Sequence, residues 1–148
     1  MISVTFSAFD HPILSGLLGD DETAVHFSLQ SELAAMLRFE TALAQAQAGA
    51  GMIPQASATA IADAAPAFHP DEARLRAAIA ADGVIVPDFV RQFRAAVGGE
   101  AAGDVHLGAT SQDVIDSALM VRLSAALAII ELRLDTLVIA LGLLRDRH

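Results

Sequence analysis

An all-α protein is what this 148-residue sequence predicts, and three observations predict it. Ala and Leu supply most of the apolar side chains, with seven Phe and neither Tyr nor Trp, a palette that favours helix over sheet. Apolar residues recur at spacings of three, four and seven. The last stretch, from Ser111 onward, keeps a helical pattern with no Pro and a single Gly, Gly142. At 1.5 Å per residue that stretch spans roughly 55 Å, which few ordinary helices reach.

The elements follow in order. Residues 1–21 read as an arm whose turn residues alternate with the anchors Ile13, Leu14, Leu17 and Leu18. A short helix is expected over 22–27. Ser28 then caps a second helix that carries Glu32 in its first turn. Leu29, Leu33, Met36, Leu37, Leu43 and Ala44 form its apolar face, with Arg38 and Glu40 expected off that face. Gly49 and Gly51 stop it, and Pro54 marks the next start. Two short helices are expected at 55–67 and 70–81, the second entered through His69, Pro70, Asp71 and Glu72. "DGVIVP" reads as a turn with a brief extended piece. Pro87 opens a helix running to about Val97, on which Arg91 and Arg94 share a face. That pair reads either as an anion clamp or as a solvated helix face. Gly98 to Thr110 is a Gly-rich loop, and the long helix follows it.

The final helix is apolar on nearly every side, as in "ALMVRLSAALAII" and "LRLDTLVIALGLL". Asp116, Arg122, Glu131, Arg133 and Asp135 interrupt every window long enough to cross a bilayer, so the pattern predicts a helix packed inside a bundle. The chain offers few partners of matching length, which points to sister chains or further sequence.

Composition excludes several classes. Hydrophobic residues make up 54% of the chain and mean hydropathy is +0.50, an apolar excess that suggests cover by partner chains. The net charge is −9 and every basic side chain is Arg, which argues against nucleic acid and anionic membranes as partners. Without cysteine there is neither a disulfide framework nor thiol chemistry. The start lacks a basic segment before an apolar core, so a cytoplasmic location is expected. His11, His26, His69, His106 and His148 are scattered without metal-ligand spacing, and no metal site is expected.

"VHLGATSQDVIDSA", Val105 to Ala118, carries the chemistry. A helix start exposes unpaired amides and the positive end of the macrodipole. Gly108 and Ala109 allow close approach, Thr110 and Ser111 add hydroxyls, and His106 adds a ring N–H. Together they can grip a carboxylate or phosphate. The same residues also spell a helix cap, with Asp113 three positions after Thr110. A phosphate-binding P-loop is the weaker alternative: Gly103, Gly108 and Thr110 match its spacing, but Ala109 stands where Lys is required.

"HLGATSQDVIDSAL" closely resembles the first signature region of the fumarase/aspartase superfamily. "FDHPILSGLLGDDE", "AMLRFETALAQAQAGAGMIP" and "VRQFRAAVGGEAAGDVHLGATSQDVIDSALMVRL" are similar to its bacterial 3-carboxy-cis,cis-muconate cycloisomerase branch. The resemblance implies an N-terminal helical domain, 1–110, followed by the first long helix of a central helical bundle, 111–148. It implies a homotetramer whose active sites each draw on three chains, and lactonization of a small anionic polycarboxylate without a metal or organic cofactor. Thr110 and Ser111 would hold a substrate carboxylate, with His106 beside the substrate. Gln112 matches the motif as a further substrate-binding residue, and Asp113 is expected to be structural. The family's second signature, Gly-Arg-Thr followed by His or Trp, is absent. So is the third, a Gly-Ser-Ser loop leading to a Lys. The catalytic acid and base are therefore expected beyond residue 148, and the chain alone is expected to be inactive. Adenylosuccinate lyase, or a related fumarate-releasing lyase, is the alternative within the superfamily. A non-catalytic helical assembly module is the alternative outside it.

Overall fold

The computed structural model describes residues 7–9 and 11–147. Residues 1–6 of the expected arm, Asp10 and His148 lie outside the described residues. The described residues form helices and turns with no strand, the all-α architecture that the composition predicts. In chain order the helices are α1 (Ser15–Leu18), α2 (Asp21–Ala24), α3 (Leu29–Gly49), α4 (Gln55–Ala64), α5 (Glu72–Asp82), α6 (Val86–Val97) and α7 (Ser111–Arg145). Short 3-10 turns follow α2, α4 and α6, at Val25–Phe27, Ala65–Ala67 and Glu100–Asp104.

Local chemistry sets the boundaries. Asp20 caps α2 by accepting from the Thr23 amide. Ser28 accepts from the Ser31 amide at 3.2 Å and so starts α3. Asp71 accepts from the amides of Ala73 and Arg74 and starts α5 at Glu72, two residues later than the sequence pattern suggests. Gly83 ends α5 with φ +75° and its N–H on the Ile79 carbonyl. Val86 already belongs to α6, so "DGVIVP" contains no extended piece: the αL glycine turns the chain directly from helix to helix. The expected 55–67 helix tightens into 3-10 geometry at Ala65, ahead of Pro66, which lacks an amide to continue it. The Gly-rich segment likewise holds a 3-10 turn where a loop is expected.

The chain divides into two compact units. One comprises Leu33–Met120; the other comprises Met1–Glu32 and Val121–His148. In the first, Met36, Ala44, Ile61, Phe89, Phe93, Val105 and Val114 are nearly fully buried. α6 is the clearest amphipathic helix, with Val86, Phe89, Val90 and Phe93 inside and Arg91 and Arg94 outside. Phe68, Phe89 and Phe93 form an aromatic cluster with ring centroids 5.0 to 6.3 Å apart. Glu40 is the main departure from the periodicity reading. Expected off the apolar face, it is 1% exposed.

In the second unit, Arg133 of α7 donates to Asp20 and to Glu22 (2.6 Å), and Arg122 lies 4.0 Å from Glu32. The Arg133 guanidinium holds the Asp20 carboxyl well below the ordinary aspartate range. Along α7 the apolar side chains Leu127, Leu132, Leu134, Leu137, Val138, Ile139, Leu141, Leu143 and Leu144 are exposed. Among the described residues no helix is long and apolar enough to cross a membrane.

Candidate active site

The segment before α7 is fixed from two helices. Arg94 of α6 donates through Nε (3.3 Å) and Nη2 (2.9 Å) to the Val105 carbonyl. Gln47 of α3 donates through Nε2 to the Leu107 carbonyl at 2.6 Å. Between them His106 adopts φ +60°, the left-handed region, and Gly108 follows at +71°. The His106 ring is tied down in turn. Its Nδ1 lies 2.7 Å from Glu40 Oε1, and the two side chains are 14% and 0% exposed. Burial pushes the Glu40 carboxyl up from its ordinary value, and His106 and Arg94 partly offset this. Glu40 Oε2 is buried without a hydrogen-bond partner among the described residues.

Where α7 begins, the helix cap read from the sequence is present, and the neighbouring hydroxyl lines a cavity. Thr110 is the cap. Its amide (2.7 Å) and hydroxyl (2.9 Å) both donate to Asp113 Oδ2, which lowers the Asp113 pKa. The expected structural role of Asp113 has this geometry behind it. The Thr110 hydroxyl proton is thereby committed to the chain's own carboxylate. The Ser111 hydroxyl makes no hydrogen bond among the described residues. Gln112 turns elsewhere, donating to Asp116 Oδ1 at 2.6 Å, and is not part of the cavity described next.

A cavity of about 350 Å³ opens at this point. Arg91, Arg94, His106, Thr110 and Ser111 supply its polar lining, and Val86, Pro87, Val90 and Ala109 its apolar wall. It therefore unites His106, Thr110 and Ser111 with the two arginines that the sequence left between clamp and solvated face. Arg91 is held by Asp88 (3.2 Å) and lies 3.7 Å from Asp82. Asp88 is buried and also accepts from Gln92 (2.7 Å) and Arg74 (2.9 Å), and these donors keep its carboxyl below the ordinary range. Two fixed guanidinium groups, a hydroxyl and a helix N-terminus surround one hollow, a donor set whose chemistry suits an anion. Among the described residues no cluster of His, Asp or Glu could hold a metal ion. The P-loop alternative lacks the strand it needs before the loop, among the described residues.

Glu40, Gln47 and Asp88 are the residues that sequence reasoning missed. A signal for two of them existed: Leu33, Met36, Glu40, Ala44 and Gln47 step by three, four, four and three along one stripe of α3. Two polar residues in register with a buried stripe mark a built polar contact.

No protein-family model matches the chain. It is 40% identical over 114 residues to 3-carboxy-cis,cis-muconate cycloisomerase of Pseudomonas putida, covering 75% of this chain and 27% of that enzyme. To the enzyme of that name from Bradyrhizobium diazoefficiens it is 36% identical over 140 residues, covering 93% and 31%. The crystal structure of a fumarate lyase from Mesorhizobium sp. BNC1 superposes with a TM-score of 0.82 at 37% identity, over 87% of this chain and 30% of that one. The chain thus spans under a third of the length of the curated relatives it matches. The class that fold and site define is the helical-bundle enzymes of the fumarase/aspartase type. Within it, the chain belongs to the 3-carboxy-cis,cis-muconate cycloisomerase branch, where it corresponds to an N-terminal portion of the full enzyme.

Proposed function

We propose that this chain contributes the carboxylate-holding part of the active site in an enzyme that lactonizes 3-carboxy-cis,cis-muconate to 4-carboxymuconolactone. The observation that carries the reading is the cavity at the mouth of α7, where Ser111, His106, Arg91 and Arg94 converge. A tricarboxylate is strongly anionic, and in a chain of net charge −9 it needs a local positive focus. In the reaction, one substrate carboxylate oxygen forms a bond to a carbon of the diene. The π pair shifts to the neighbouring carbon, beside another carboxylate, and that carbon takes up a proton. Donors fixed around the second carboxylate stabilise the charge that develops on it. Ser111 and the first-turn amides of α7 are suited to that task, with His106 alongside. Thr110 orients the entrance through Asp113, and Gln112 acts from outside the cavity. No residue of this cavity is assigned as the proton donor, and the chain alone is expected to turn over no substrate.

The division into a helical domain, 1–110, and a bundle helix, 111–148, belongs to the same proposal. The exposed apolar length of α7 supports burial against sister helices in a homo-oligomer, a tetramer in the full-length enzyme. Adenylosuccinate cleavage is the second reading, favoured by the arginine pair, which would suit a phosphate equally well. The test is a chimera in which this chain replaces the matching segment of the Pseudomonas putida enzyme. Lactone formation from 3-carboxy-cis,cis-muconate, abolished by Ser111→Ala, is expected. A chimera that assembles but cleaves adenylosuccinate and forms no lactone would overturn the first reading in favour of the second.

A further inference from the structure

Glu40 is an expensive way to brace a loop. Its side chain is 0% exposed, one oxygen meets His106 Nδ1 at 2.7 Å, and the other has no hydrogen-bond partner among the described residues. A buried carboxylate costs far more desolvation than an amide. The same helix already braces the same loop with an amide, Gln47 on the Leu107 carbonyl. A charge at position 40 therefore serves something that bracing does not.

What it serves is the ring. With Nδ1 taken by Glu40, Nε2 is the one polar ring atom left for a guest in the cavity that His106 lines. Consider the protons shared by carboxylate and imidazole. With two, Nε2 carries an N–H whether the inner proton sits on Oε1 or on Nδ1, and the pair is neutral overall. With one, that proton lies on Nδ1 between the two groups, and Nε2 is a bare lone pair. Glu40 thus permits a single ring orientation and a single inner hydrogen bond, and leaves Nε2 as the only site that switches. The charged groups around the pair are Arg94 of α6, which acts on Glu40, Asp113 of α7, which acts on His106, and Arg91 on the same cavity. The φ of +60° at His106 adds backbone strain at this residue, which the contacts at Val105 and Leu107 hold in place.

We infer that Glu40 is a positioning residue: it locks His106 so that Nε2 faces the cavity and donates an N–H to a substrate carboxylate, the Glu40–His106 pair binding the anion as a neutral donor. The inference deepens the function proposed above and rests on it for the nature of the guest.

Long-range proton–nitrogen spectra of the histidine rings test it on the 148-residue chain between about pH 6 and about pH 9, with propane-1,2,3-tricarboxylate as the probe. One inner proton between Nδ1 of His106 and Oε1 of Glu40 is expected with and without the probe, and an N–H on Nε2 when the probe is bound. In Glu40→Gln, whose amide can donate or accept, the ring is expected to populate both tautomers. The probe should then bind about tenfold more weakly, with a flatter pH dependence. A bare Nε2 in the probe-bound wild type, or a Glu40→Gln chain with unchanged tautomer and affinity, overturns the proposal. Should Glu40→Gln fail to fold, the wild-type spectra decide alone. A wild type with the expected tautomer that binds no tricarboxylate sinks the carboxylate reading of the cavity instead, which separates the two failures.

Discussion

Thr110 and Ser111 are adjacent hydroxyls with different tasks. Thr110 gives both its donors to Asp113, while Ser111 lines the cavity with its hydroxyl unbonded among the described residues. Because the Asp113 pKa is lowered in the folded chain, the carboxylate stabilises the fold above the ordinary aspartate value of 3.8, and that contribution is lost as pH falls through the depressed value. Thermal melts followed by circular dichroism should show Asp113→Asn less stable than wild type at neutral pH, with the gap closing as pH drops below 3.8. A gap that is constant with pH would remove the charge from the explanation. Asp88 collects Arg74, Arg91 and Gln92 on one buried carboxylate. Asp88→Ala is expected to cost about 1–2 kcal/mol in denaturant melts and to release Arg91 from the cavity wall. The cap formed by Thr110 and Asp113 was legible from their spacing, but not which hydroxyl is left over, and the role of Asp88 was not open to sequence reading.

Helices were legible where periodicity and capping agree. α3, α6 and α7 each pair an apolar spacing with a defined start, at Ser28, Pro87 and Ser111. Periodicity placed Glu40 and Gln47 on the buried stripe of α3, and residue type hid it. Glu40 and Gln47 look like solvent residues by type, and only the contacts from "VHL" give them a buried partner. The brief extended piece at "DGVIVP" failed because β-branched residues at a helix entrance resemble a strand until the αL glycine before them is taken as a cap. α6 positions Arg91 and Arg94, so its packing bears on the site. Phe93 is 0% exposed and its ring centroid is 5.0 Å from that of Phe68. Phe93→Ala is expected to cost about 3–5 kcal/mol, a large share of a typical domain's stability of about 5–15 kcal/mol. Urea unfolding with an unchanged slope and a midpoint near wild type would show that the aromatic cluster is not the keystone of its unit.

At the scale of the whole molecule, α7 sets the unfinished business. Its 35 residues span about 52 Å, and Leu132, Val138 and Ile139 are each more than 60% exposed. Apolar surface of this length on one helix is what the proposed self-association would cover. Sedimentation should find the chain self-associated, and the triple variant Leu134→Glu, Val138→Glu, Leu141→Glu should shift it to monomer while keeping its helical circular dichroism. A wild-type chain that sediments as a monomer at all concentrations would contradict this. The expectation of partner chains came from the apolar excess in composition, whereas their number and arrangement are implied by the resemblance and not by any residue here.

The central claim is that the entrance of α7 holds an organic carboxylate between Ser111, His106 and the arginines of α6. Calorimetric titration of propane-1,2,3-tricarboxylate tests it most directly, with Thr59→Ala on exposed α4 surface as a control. The account predicts saturable binding to the wild type and to Thr59→Ala, and binding about tenfold weaker to Ser111→Ala. Equal binding by Ser111→Ala, or no saturable heat from the folded wild type, would contradict it.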